Sequence, residues 1–221
     1  MTKASKRESG GGRANRTRGE ILAAAEHLFA TNGFAATRLV DVADAVDLTR
    51  AALFYHFKDK QVLYDAMISN AFGALDQELH NILDTADKSI PERIELAAEA
   101  WLDIIIARPT LARLILRFVA DDDTDDAAQK IYSDNQLVPL KFFSLFEEGV
   151  RSGELTPLHK DPLHIASAVI GTTVFYVSAL ARLIPEGTNK ELTPEQLKTH
   201  KQEALLAARL LMGISSHKAD D

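Results

Sequence analysis

Between positions 49 and 60 the chain reads TRAALFYHFKDK, which concentrates hydrogen-bond donors in one place. Thr49, Arg50, Tyr55, His56, Lys58 and Lys60 can all donate to phosphate oxygens or base edges. At about 100° per residue, a helix sets Leu53 and Phe57 on one face and turns Ala51 and Tyr55 the opposite way. The row of rings thus splits between two jobs. Leu53 and Phe57 anchor a small core, while Tyr55 and His56 point outward. Small Ala51 and Ala52 let such a helix lie close in a major groove. Tyr55, His56 and Lys60 then reach phosphates, contacts that position a protein without reading sequence.

Bond-making chemistry has no comparable foothold. The sequence holds no phosphate loop, no nucleophile elbow, no HExxH and no convincing carboxylate pair. With no cysteine, disulfides and thiolate metal sites are excluded. His159, Asp161 and His164 gather near Pro162, but two histidines five apart without a strong third ligand read better as a capped helix start. Asp121–Asp126 lacks the glycine and distal glutamate of a calcium loop and reads as a solvated linker. No cofactor and no metal are expected.

The net charge of −7 argues against nucleic acid until its distribution is considered. Residues 1–66 carry ten basic and eight acidic side chains, against 15 and 24 in the remainder. The first 18 residues hold six basic groups and one acid, and Arg13, Arg16 and Arg18 could serve as a basic arm on DNA. A sequence-independent architectural DNA binder would be basic overall, which this chain is not. No apolar run approaches the roughly 20 residues of a membrane helix, and no secretory signal is visible, so a cytoplasmic location is expected.

The elements that must position the donors are helices. Ile21, Leu22, Ala25, Leu28 and Phe29 form one apolar stripe, closed by Gly33. Thr37 can cap a second helix carrying Leu39, Val42, Ala43 and Val46, and Thr49 a third running to about Phe57. Two short helices joined by a tight turn are the helix-turn-helix layout. Further helices are expected over 60–86, 90–107, 109–119, a long one to 153 kinked or broken at Pro139, 162–184 and 194–216. The fold class is all-α. The expected domains are a flexible arm over 1–12, a DNA-binding unit over 13–60 and a helical domain over 61–221.

The stretch TRGEILAAAEHLFATNGFAATRLVDVADAVDLTRAALFYHFKDKQVLYDAM, residues 17–67, resembles the DNA-binding domain of the tetracycline-repressor (TetR) family of bacterial transcriptional regulators. Leu28-Phe29, Gly33-Phe34, Thr37, Asp41-Val42-Ala43 and Leu53–Phe57 with Lys60 and Leu63 carry the likeness, in order and at family spacing. The resemblance implies that Thr37 caps helix two and touches phosphate. Arg38, Thr49, Arg50 and Ala51 are then candidates for DNA contact, and Tyr55, His56 and Lys60 contact the backbone. Phe54 stands where many members have tyrosine, Asp47 where the turn glycine is usual, and Val40 where some members read bases with arginine.

The resemblance also implies a homodimer through the last two helices, whose segments GTTVFYVSALARL and EALLAARLLMGIS are rich in small and apolar residues. It implies double-stranded operator DNA as partner and a small-molecule effector, apolar or amphipathic. Trp101, Ile105, Leu114, Phe118, Phe142, Phe146, Phe175 and Tyr176 are the candidate pocket residues. The expected function is a ligand-responsive repressor. The rival is a helical small-molecule-binding protein or enzyme without a DNA role.

Overall fold

Ile21, Leu22, Ala25 and Phe29 recur at helical spacing, and in the computed structural model of the chain all four are buried. The structure describes residues 5–120, 137–180, 183 and 192–214. Helix α1 spans Ser5–Ala36, with its helical path broken at Gly33 (φ 82°, ψ 173°). That break is the stop read from the sequence. Residues 5–12, expected as a flexible arm, are the start of this helix instead. The arm has no apolar stripe of its own, so it extends by propagation from the packed turns behind it, one hydrogen bond per residue.

Helices α2 (Leu39–Ala45) and α3 (Arg50–His56) follow. In the turn between them Asp47 takes φ 53°, the left-handed conformation that aspartate tolerates better than most side chains. The Thr49 hydroxyl accepts from the Ala52 N–H at 3.2 Å and starts α3. Helix α4 runs Lys60–Asp84, capped by Asp59, whose carboxylate accepts from the Val62 N–H at 2.8 Å. Tyr64 near its start meets Phe29 and Phe34 edge-on, both at 5.0 Å, so the first turns of α4 belong to the core of the first three helices.

Helix α5 (Ile90–Ala107) opens on the expected capping box, with the Ser89 N–H donating to Glu92 at 2.9 Å. Helix α6 is Pro109–Ala120 and α7 is Leu137–Ser152. Pro139 is the third described residue of α7, and the residues before 137, where the expected kink or break would show, lie outside the described residues. The acidic linker Asp121–Asp126 lies outside the described residues.

Asp161 caps α8 (Pro162–Phe175), which passes into a π-helical turn over Tyr176–Leu180. The Asp161 carboxylate accepts from the Leu163 N–H at 2.9 Å, the capped helix start read at His159, Asp161 and His164. Helix α9 (Pro194–Met212) has a Thr193–Gln196 capping box and ends at left-handed Gly213. A Cβ at Gly213 would stand 2.0 Å from the Thr156 carbonyl oxygen, because the segment before α8 hydrogen-bonds onto this helix end.

Among the described residues the structure is all-helical. Helix α1 packs on α4 and α6, α4 on α5 and α7, and α9 on α5 and α8, around a core continuous from Ile21 to Met212. One expectation is corrected here. Pro162–Leu180 is, by length and composition, apolar enough to cross a membrane, and 33% of it is buried in this chain.

Candidate nucleic-acid interface and internal cavity

Helix α3 divides its residues as the periodicity requires. Leu53 is fully buried and Phe57 2% exposed, while Tyr55 stands 84% exposed. Thr49, Arg50 and Ala51 are exposed beside it, and His56 is half-buried with its ring edge-on to Tyr55 at 5.4 Å. The guanidinium of Arg50 lies 5.3 Å from the centre of the Phe54 ring, a cation–π contact that holds it on the outward face. Phe54 therefore orients a neighbouring cation where a tyrosine would offer its own hydroxyl. The exposed strip Arg50–Ala51–Tyr55 combines a cation, a small residue and a phenol, which suits a groove floor flanked by phosphates.

Three of the sequence candidates have structural work to do. Thr37 is 2% exposed, and its hydroxyl donates to the Gly33 carbonyl at 2.7 Å. It closes the end of α1 and is not the cap of α2. That position belongs to Arg38, whose N–H donates to Asp41 at 3.3 Å. The Arg38 guanidinium also grips Asp41 at 3.0 and 2.6 Å. This pairing raises the arginine's pKa and lowers the aspartate's. Lys60 donates to the Ala35 carbonyl at 3.1 Å and lies 4.4 Å from the Phe34 ring centre. Partial burial lowers its pKa. Its ammonium ties α4 to the end of α1, so a phosphate would have to compete with that bond. In the arm, Arg16 pairs with Glu20 at 3.3 Å and Arg18 covers Phe57 at 4.9 Å.

Sequence reasoning missed the joint behind this unit. Glu26 on α1, 9% exposed, accepts from Arg108 at 2.7 Å and from Thr110 at 2.6 Å, at the start of α6. Farther along α6, Arg117 donates to the carbonyls of Ala30 and Thr31 at 3.2 and 2.5 Å. A Cβ on Gly33 would sit 2.9 Å from that guanidinium. Two polar ties therefore fasten α6 along the helix that carries the donor-bearing unit. A lone polar residue on the apolar stripe of α1 was the available signal, and its partners lie more than 80 positions away.

A cavity of about 530 Å³ lies between α4, α5, α7, α8 and α9. Of the eight pocket candidates, Trp101 and Phe142 line it. Ile105, Leu114 and Phe146 are packed core, Phe175 is 47% exposed, and Tyr176 stacks on His200 at 4.2 Å. Phe118 is not among the lining residues either. Apolar character alone does not separate a wall from a core, because both are selected by the same burial. Phe72, Leu75 and Leu79 of α4 and Phe143 of α7 complete much of the wall.

The model of bacterial regulatory proteins of the tetR family matches residues 21–67. The HTH-type transcriptional regulator TtgR of Pseudomonas putida is 35% identical over 79 residues, 36% of this chain and 35% of that protein. The HTH-type transcriptional repressor KstR2 of Mycobacterium tuberculosis is 30% identical over 84 residues, 38% of this chain and 42% of that protein. The match thus spans about a third of the length of the first of these relatives. A putative fatty acid metabolism regulator of Clostridium perfringens shares the fold with a TM-score of 0.67 at 14% identity, covering 89% of this chain and 99% of that one. A tetR-family regulatory protein of Rhodococcus RHA1 does so at 0.66 and 19%, covering 88% and 96%.

Proposed function

We propose that this chain, which belongs to the tetR family through its N-terminal unit, is a sequence-specific DNA-binding regulator of transcription and acts as a ligand-responsive repressor. Residues 13–60 dock on operator DNA, and 61–221 dimerise and bind the effector. The observation that carries the reading is the outward strip of α3. Arg50, Ala51 and Tyr55 are exposed on a helix whose opposite face, Leu53 and Phe57, is locked into the core. Thr49 and His56 flank that strip and extend its reach to phosphate.

A second copy of the chain completes the site, since a two-fold pair offers α3 to two half-sites roughly 34–36 Å apart. Phe175, Leu206 and Leu210 are each at least 47% exposed on α8 and α9, which pack side by side. This apolar face supports pairing through those helices. With DNA as partner the chain works in the cytoplasm, and the apolar span Pro162–Leu180 is used on its copy rather than on a membrane.

The cavity of about 530 Å³ is of a size for a small apolar effector. Helix α4 both lines it and begins against Phe29 and Phe34. A ligand that favours a shifted α4 moves the two α3 helices out of register with consecutive grooves, a population shift. The ties of α6 to α1 give a second route for the same displacement. A regulator, not an enzyme, is what this arrangement serves.

The test is fluorescence-anisotropy binding of the full chain to the duplex upstream of its own gene and to a scrambled duplex, at low and physiological salt. Tight binding to the first alone supports the reading. Equal, steeply salt-dependent binding to both would reduce it to backbone contact, and no binding to either would favour the rival without a DNA role.

A further inference from the structure

The walls of the cavity are nearly all hydrocarbon, and Asp76 is the one charged side chain among the described lining residues. It forms no hydrogen bond or ion pair with a described residue. His80, one turn along α4, is the group whose charge acts on it. Burial raises the Asp76 pKa, and the attraction of His80 offsets this in part. Four aromatic side chains share the wall with Asp76: Phe72, Trp101, Phe142 and Phe143.

An occupant large enough to fill this space strips water from the carboxylate. A hydrocarbon would leave the charge without solvent or partner, which is costly in an apolar setting. A second anion would add repulsion at low effective dielectric. A cation would restore the lost solvation by pairing, and the faces of aromatic rings attract ammonium groups as well.

We propose that the cavity takes an amphiphile with an apolar body and a cationic ammonium head, seated with the head at Asp76 among the aromatic walls. This deepens, and rests on, the reading of the cavity as the effector site. It sets the ligand class by charge: lipophilic amines and quaternary ammonium compounds are admitted, and lipophilic carboxylates are refused.

Trp101 is the sole tryptophan of the chain and lines the cavity, so its emission reports occupancy directly. The full-length protein is titrated at pH 8 with dodecyltrimethylammonium, dodecanol and dodecanoate, each below its micellar concentration. The cation is expected to bind at least about tenfold tighter than the carboxylate, with the alcohol between them. In Asp76→Asn the preference should collapse to within roughly threefold, with a retained helical circular-dichroism signal and unfolding midpoint as the check on folding. Asp76→Glu should keep the preference, and serves if the asparagine variant does not fold. Equal or tighter binding of dodecanoate by the native protein would overturn the assignment, as would a preference that survives Asp76→Asn. Dodecanol binding without any charge preference removes this inference and leaves the cavity as the effector site. A Trp101 emission unmoved by all three probes removes both.

Discussion

The outward strip of α3 and the cavity behind α4, the two surfaces proposed for recognition, are built in opposite ways. The strip comes from residues of one seven-residue helix. The cavity draws side chains from five helices, from Phe72 to Met212. A surface carried by one helix needs its sequence neighbours in fixed order. A surface shared by five needs only apolar volume at each position, and many residue combinations supply it. The strip should therefore fail when its core anchor fails, and the cavity should tolerate single changes except at its charge.

The largest effect is expected at that anchor. Leu53 is fully buried between the first three helices, and Leu53→Ala should cost about 3 kcal/mol by urea unfolding, with DNA binding lost alongside. Retained stability with lost DNA binding would mean that α3 folds independently of its anchor. Next is Gly213→Ala, which joins a left-handed backbone angle to a Cβ standing 2.0 Å from the Thr156 carbonyl. A loss of about 2 kcal/mol is expected, reported by the thermal midpoint, with the DNA-contacting face unaffected. Glu26→Ala follows. It leaves Arg108 and Thr110 without their acceptor, and because Arg108 is 42% exposed the loss should be about 1 kcal/mol. The sharper readout is DNA affinity. A looser joint between α1 and α6 should weaken it more than the same stability loss placed in α9.

Tyr55→Phe separates contact from folding. Tyr55 is 84% exposed, so its hydroxyl adds nothing to the core. Removing it should lower operator affinity several-fold, about 1 kcal/mol, while the unfolding midpoint stays put. Unchanged affinity would shift the weight of recognition to Arg50 and Thr49.

The same contrast accounts for what could be read from the sequence. The helix order, the capping residues Thr49, Ser89, Asp161 and Thr193, and the inward and outward faces of α3 all follow from local chemistry. Local patterns fixed them before any tertiary contact was known. The tertiary partners of Thr37 and Lys60 escape a local reading for a complementary reason. Each is a polar residue beside the DNA-contacting unit, and nothing local shows that the partners of both are carbonyls at the end of α1. The Glu26 joint and the Asp76 wall are non-local, since each gains its meaning from helices far along the chain. In the pocket, Trp101 and Phe142 were found and Ile105, Leu114 and Phe146 were core, because hydrophobicity reports burial and says nothing of which side of a side chain is empty.

The smallest expected effect tests the seam between α8 and α9, the helices proposed to meet a partner copy. His200 of α9 holds its Nε2 at 2.9 Å from the hydroxyl of fully buried Thr173, and its ring lies flat on Tyr176 in the π-helical turn. Burial lowers its pKa below the ordinary histidine value of 6.5, with Glu203 opposing in part. Below pH 6.5 the unfolded chain therefore binds a proton that the folded chain resists, and stability must fall as pH drops. Above pH 6.5 both states are neutral at this site and its contribution is complete. Thermal midpoints of the native protein should decline between pH 6.5 and 5.5 more steeply than those of His200→Gln, which keeps a hydrogen-bonding group without a titrating one. Parallel profiles would show that His200 charges as readily in the fold as outside it. The seam between α8 and α9 would then be open enough to hydrate an imidazolium, which a tightly packed dimer face would not allow.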